Sequence, residues 1–101
     1  MAVLTEAAAF AVDPAVRPPL TAGIVAAAIS IANEDPNTAL HAERVALAHD
    51  VLANPPLAQD RFAWAVSTNL TVVGKWAAGD LDGAVGDFAY VIASVWDALA
   101  R

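Results

Sequence analysis

The chain of 101 residues contains no cysteine. That excludes disulfides, thiolate metal sites and cysteine nucleophiles, and it leaves the redox compartment open. Basic residues are also scarce: five Lys and Arg stand against eleven Asp and Glu, a formal net charge of −6. Such a chain repels phosphate backbones and supplies none of the counterion release that drives nucleic-acid binding, so no direct DNA or RNA contact is expected. The same charge opposes attraction to anionic lipid. Long hydrophobic runs are missing as well. The longest apolar stretch, Ala22 to Ala32, is interrupted by Gly23 and Ser30 and falls short of the ~20 residues a spanning helix needs. It reads as a buried core helix, and no membrane partner is expected. The start, "MAVLTEAAAF", lacks a basic segment and carries Glu6 early, unlike a signal peptide. The cytoplasm of the producing cell is the expected address.

Aromatic residues make up only 7% of a chain that is 58% apolar, and the surplus is alanine, as in "EAAAFA", "VAAAIS" and "RFAWAV". Alanine loses no side-chain entropy in a helix and lets helix axes approach closely. The expected fold is therefore all-α: a compact bundle of four to six short helices without a sheet, forming one domain over residues 1–101, with a modest core.

Six prolines, at 14, 18, 19, 36, 55 and 56, divide the chain into blocks of helical length. Thr5 is placed to cap a first helix running to about Val12, with Glu6 in its first turn. Asp13 then caps a single turn beginning at Pro14, which Pro18 and Pro19 stop. Thr21 opens a second helix to Asn33, apolar all the way round in the manner of a central helix. After the turn "EDPN", Asp35 or Asn37 caps a third helix to about Ala53. Leu40, Val45, Leu47, Ala48, Val51 and Leu52 form its broad apolar face, with Glu43, His49 and Asp50 toward water.

Asn54 and Pro55 start a fourth helix that buries Phe62, Ala65 and Val66, while Trp64 points off that face toward a second contact. "LTVVGKWAAG" mixes β-branched residues with a Thr71 cap and a Gly79 stop. It reads as a short helix or irregular turn, because a lone strand has no partner elsewhere. Asp80 caps the last helix, along which Leu81, Val85, Phe88, Ile92, Val95, Trp96 and Leu99 recur at three- and four-residue steps.

Chemistry is hard to place on this frame. Asp80-x-Asp82-Gly83 looks like the start of a calcium loop, but the positions that should hold glycine and a bidentate glutamate hold Val85 and Val91. Asp80 and Asp82 are better read as a cap and a first-turn acid, with Asp87 one turn on toward the exposed side. His41 and His49, eight residues apart, sit about 80° around a helix and roughly 12 Å along it, too far to share a metal. His41 is expected to pair with Asn37 or Glu34. Arg44 and Arg61 are expected to lay their stems on the core and reach a helix end or an acid on another helix. Gly83 and Gly86 suggest close approach of another backbone or a pliable helix start. No catalytic residue, cofactor loop or metal set is expected.

What remains is surface. Three tryptophans and Tyr90 in so alanine-rich a chain are either the bulk of an otherwise small core or residues for an interface, where such side chains are favoured. The candidates for partner contact are Trp64, Leu70, Val72, Val73, Trp76, Tyr90 and Trp96, with Trp76 first among them.

The stretches "NEDPNTALHAERVALAHDVLANPPLAQDRFAWAVSTN" and "DFAYVIASVWDALA" resemble small all-helical proteins from the virion-structure gene clusters of tailed bacteriophages. The likeness lies in the order of a polar turn, "HAxR", "xVLxxP", "FAxAVxTN" and a final "SVWxALA" helix; Leu70 to Gly79 lies outside it. The resemblance implies a non-enzymatic structural part present in many copies, docked on capsid, neck or tail proteins or on itself, and located in the virion after assembly in the host cytoplasm. A small soluble adaptor that binds one cellular protein through Trp76 and the final helix is the alternative. An enzyme built on His41 is a third and more remote one.

Overall fold

The computed structural model describes the backbone of residues 2–101 and the side chains of residues 6–101. Six helices follow one another: α1 (Ala2–Val12), α2 (Arg17–Ala32), α3 (His41–Ala53), α4 (Pro55–Val66), α5 (Leu70–Ala77) and α6 (Leu81–Ala100). The fold is all-α, with no strand among the described residues.

Helix starts depart from the expected ones wherever a proline was taken as a stop. α2 begins four residues before Thr21, with Pro18 and Pro19 inside its first turn. The first N–H groups of a helix have no partner within it, so a proline there forfeits nothing and its fixed φ already suits the helix. Asp13 caps the preceding turn as expected, its Oδ1 accepting from the Ala15 N–H at 2.8 Å. α1 starts upstream of Thr5, which is therefore not its cap; the Thr5 side chain lies outside the described residues. α3 starts later than expected, at His41, because residues 36–40 form turns closed by Asp35 Oδ1 on the Asn37 N–H at 2.9 Å. Leu40 precedes it at φ 60°, a left-handed conformation that no side-chain cap supports.

Proline and cap positions do fix α4 and α6. Asn54 precedes Pro55 and Pro56 in the first turn of α4, although its side chain makes no cap bond. Asp80 accepts from the Gly83 N–H at 2.8 Å, and a Cβ at Gly83 would lie 2.1 Å from that carboxylate. The crowding at Gly83 is thus with the capping side chain, not with a neighbouring backbone. The close approach occurs instead at Gly23, where a Cβ would meet the Phe88 ring at 2.8 Å as α2 crosses α6.

The segment Leu70–Ala77 is a full short helix, capped two positions earlier than its sequence suggests. Asn69, not Thr71, accepts from the Val72 N–H at 3.1 Å. Its end is a left-handed glycine: Gly79 at φ 88° lets its own N–H reach Trp76 O at 3.0 Å and the Asp80 N–H reach Lys75 O at 2.9 Å. Two orphan carbonyls are satisfied in this way.

α2 is central, packing on α3, α4 and α6. Only its stripe of Leu20, Ile24, Ala28 and Ile31 is buried, however, and Ile29 is 54% exposed. Phe10, Val16, Leu47, Val51, Phe62, Val66, Val72, Val73, Phe88 and Trp96 supply the larger side chains of the rest of the core. Each fully buried Phe, Leu, Ile or Val there contributes roughly 1.5–3 kcal/mol. Ala63 takes the buried place expected of Ala65, which is only half-buried, and Leu52 lies at the surface. The molecule measures 41 × 22 × 21 Å.

Candidate functional site

Polar side chains first build two internal clamps. Arg44, on the second turn of α3, donates from Nε and Nη2 to Glu34 at 3.0 and 3.1 Å and from Nη1 to Asp97 on α6. This is the reach to an acid on another helix that its place beside an apolar face implied. The Arg44 hydrogen bonds hold the Glu34 carboxyl below its ordinary range. His41 stands beside them, its Nδ1 3.5 Å from Glu34 Oε1 and covered from solvent without a hydrogen bond. His49 is exposed on the same helix. Arg61 reaches the Leu99 carbonyl at the end of α6, at 3.5 Å.

The second clamp centres on Arg17, to which sequence reasoning assigned nothing. Its guanidinium donates to Ala11 O from Nε at 2.8 Å and Nη2 at 2.6 Å, and to Asp60 on α4. Gln59 returns a bond from Nε2 to Arg17 O at 2.9 Å. The cation thus caps the C-terminal end of α1 and ties it to α4. The signal was present in the sequence: a lone arginine between an alanine-rich helix and two prolines has a free carbonyl end next to it.

No group of three metal-capable side chains gathers among the described residues. Asp80 and Asp82 remain helix-start acids, and Asp87 is half-buried rather than exposed, because Lys75 on α5 binds it at 2.7 Å. That bond raises the Lys75 pKa.

The seven partner-contact candidates separate into core and surface. Trp96 is fully buried against Phe62, ring centroids 5.1 Å apart, and donates its indole N–H to Arg44 O at 3.2 Å. Val72 and Val73 are buried as the inner face of α5. These three supply the core and present no surface for a partner, a correction to their expected role. Helix α6 turns its Trp96 side inward because α3 crosses it there, which spacing along α6 alone does not reveal.

Trp76 is largely an internal residue too. It packs edge-on against Phe10 at 5.7 Å and donates Nε1–H to Asp13 Oδ2 at 2.7 Å. The indole end on which the adaptor reading relied is thereby engaged within the chain. The Ala15 N–H, and secondarily the Trp76 indole, hold the Asp13 carboxyl below its usual range.

Trp64, Leu70 and Tyr90 lie at the surface, 50%, 66% and 87% exposed. Near them runs an open groove of about 500 Å³ between the end of α4 and the middle of α6, lined by Ala65, Thr68, Asn69, Val91, Ser94, Val95 and Ala98. Trp64 precedes Ala65 and sits one turn before Thr68; Leu70 follows Asn69; Tyr90 precedes Val91 and sits one turn before Ser94. Each is thus a sequence neighbour of a lining residue without itself lining the groove. No lining residue carries a charge, and the floor is apolar with three hydroxyl or amide groups along it.

α6 itself, with 20 residues at a mean hydropathy of 1.2, has the length and composition to cross a membrane. Asp82, Asp87 and Asp97 punctuate it, so it is not an uninterrupted apolar run. In this fold its Ala84, Phe88 and Trp96 anchor the core. No protein-family model, curated protein or solved structure matches the chain.

Proposed function

We propose that this chain is a non-enzymatic assembly protein that works through protein–protein contacts, and that its setting is the particle of a tailed bacteriophage. It serves there as a capsid, neck or tail component, against other virion proteins or further copies of itself, without direct contact to nucleic acid or membrane. The host cytoplasm is where it is made and the virion where it acts.

The observation that carries the contact role is the uncharged α4–α6 groove, whose lining residues Ala65, Asn69 and Val91 are next in sequence to the exposed Trp64, Leu70 and Tyr90. A half-exposed tryptophan and a nearly free tyrosine leave apolar area that a facing chain would remove from water. The phage setting is supported by the resemblance of residues 33–69 and 87–100, the segments that contain α3, α4 and most of α6 and so frame the groove.

The test is fractionation of particles from the producing culture, with the chain followed by mass spectrometry and its mass in free solution measured by light scattering. Retention of the chain in purified particles is expected. A strictly monomeric chain that is absent from particles overturns the proposal.

A further inference from the structure

Arg17, Arg44 and Lys75 are all engaged inside the fold, on Asp60, on Glu34 with Asp97, and on Asp87. Arg61 differs. Its contact is a single hydrogen bond of 3.5 Å to the Leu99 carbonyl, long for such a bond, and among the described residues no carboxylate pairs with it. In a chain of net charge −6 a guanidinium without an acid is against the general balance.

Arg61 lines a cleft of about 220 Å³ together with Asp50, Ala53, Asn54, Leu57 and Ala58. These positions recur at three- and four-residue steps, so they form one face running from the last turns of α3 into α4. The face bends at Asn54, whose φ of −148° and ψ of 74° interrupt the helix. Asp50, on the α3 arm, also lacks a cation partner among the described residues, and it does not meet Arg61 across the cleft. Asn54 makes no cap bond with its amide. Between the charged ends lie Ala53, Ala58 and Leu57, the last 60% exposed.

The cleft is therefore charged with opposite sign at its two arms and apolar between them. A simple cation that meets Asp50 is repelled by Arg61, and a simple anion fares the reverse. A molecule that carries both charges engages both arms.

We infer that the α3–α4 cleft binds a small amino carboxylate whose ammonium and carboxylate stand at the two ends of an apolar spacer. Asp50 accepts from the ammonium, and the Arg61 guanidinium donates two parallel N–H groups to the carboxylate, the pairing its planar fork favours. Asn54 has both donor and acceptor and serves either end. The spacer covers Leu57 and the two alanines and removes their apolar surface from water. Size limits the occupant as well. The cleft is smaller than the roughly 300–1,000 Å³ of sites that enclose drug-sized ligands, which leaves room for one short linear molecule or one chain end. A free ω-amino acid offers this chemistry, and so does the C-terminal lysine of a partner protein, whose side-chain ammonium and terminal carboxylate are likewise separated by methylene groups.

Amide chemical shifts of the isotope-labelled whole chain, followed as 6-aminohexanoate is added, test the site. Saturable shifts within residues 50–61 are expected, with a dissociation constant on the order of 1 mM, the modest affinity of so small a ligand. Hexylamine and hexanoate, each with one of the two charges, and glycine, whose charges are adjacent, should bind at least about tenfold more weakly. Asp50→Asn and Arg61→Gln should each weaken 6-aminohexanoate by about the same factor. Circular dichroism of both variants should match wild type, both side chains being exposed. Asp50→Asn carries the test by itself if loss of the Leu99 contact unsettles the other variant.

Nα-acetyl-lysine separates the two sources. Binding tighter than that of 6-aminohexanoate identifies a partner's chain end, and equal or weaker binding a free amino acid; either result upholds the site. The absence of a saturable shift, or shifts confined to residues away from the cleft, overturns it. So does hexylamine or hexanoate binding as tightly as 6-aminohexanoate, or a folded Asp50→Asn chain that binds as wild type does.

Discussion

The Trp76 indole N–H binds the Asp13 carboxylate at 2.7 Å, joining the turn after α1 to the last turn of α5 across 63 residues of sequence. Asp13 also accepts from the Ala15 N–H, and these two bonds lower its pKa in the folded chain. A carboxylate with a lowered folded pKa adds stability that is fully present above its unfolded pKa and is lost as pH falls through the folded value. Wild-type Tm should therefore fall as pH drops from about 4. Asp13→Asn keeps an acceptor oxygen but does not ionise, and should show a shallower decline over the same window. Thermal melts followed by tryptophan fluorescence check this, and equal slopes for the two proteins would refute it.

Arg44 holds α3, the α2–α3 connection and α6 together through Glu34 and Asp97, with only 14% of its side chain exposed. Removing one partner of a buried pair strands the others and typically costs 3–5 kcal/mol. Asp97 is 38% exposed, which lets water take over part of the loss. Arg44→Ala should accordingly destabilise by about 2 kcal/mol. A double-mutant cycle with Asp97→Ala should give a coupling of about 0.5–1 kcal/mol in urea unfolding.

Two glycines should respond in opposite directions. A Cβ at Gly23 would press on the Phe88 ring at 2.8 Å, whereas one at Gly74 would find nothing within 4 Å. Gly23→Ala is expected to cost about 1–3 kcal/mol through overpacking. Gly74→Ala, on an open face of α5, should gain about 0.4–1 kcal/mol from helix propensity and a less flexible unfolded chain. Urea midpoints moving the same way for both would contradict the packing described at α2 and α6.

Trp96 and Tyr90 share α6 yet should behave as different kinds of residue. Trp96, fully buried, should cost about 3–5 kcal/mol on truncation to alanine. Tyr90→Ala, at an 87% exposed position, should change the stability of the single chain by less than about 0.5 kcal/mol. Chemical denaturation at low protein concentration separates the two.

These contrasts also show what the sequence discloses. Alanine content, proline positions and the three- and four-residue spacing along α6 suffice for the all-α class, the helix order and the Asp80 cap, because each is decided within a turn or two of chain. The burial of Trp96 and the occupation of Trp76 are not legible in that way. They depend on where α3 and the Asp13 turn lie in space, which involves residues 52 and 63 positions away. The starts of α2 and α3 were obscured for a local reason instead. A proline ends one helix or begins the next with the same fixed φ, and Asp35 can close a turn as readily as cap a helix.

Of the seven expected partner contacts, those at the surface, Trp64, Leu70 and Tyr90, are each next in sequence to a residue that lines one uncharged groove. That grouping came from α4 and α6 lying side by side, a pairing no spacing within either helix could indicate.

The assembly role is tested most directly by counting copies of the chain per purified particle with isotope-labelled peptide standards. A fixed number, constant between preparations and related to the symmetry of the capsid, neck or tail, is the expected result. A chain that is absent, or present only in traces that vary from one preparation to the next, would contradict the assembly role.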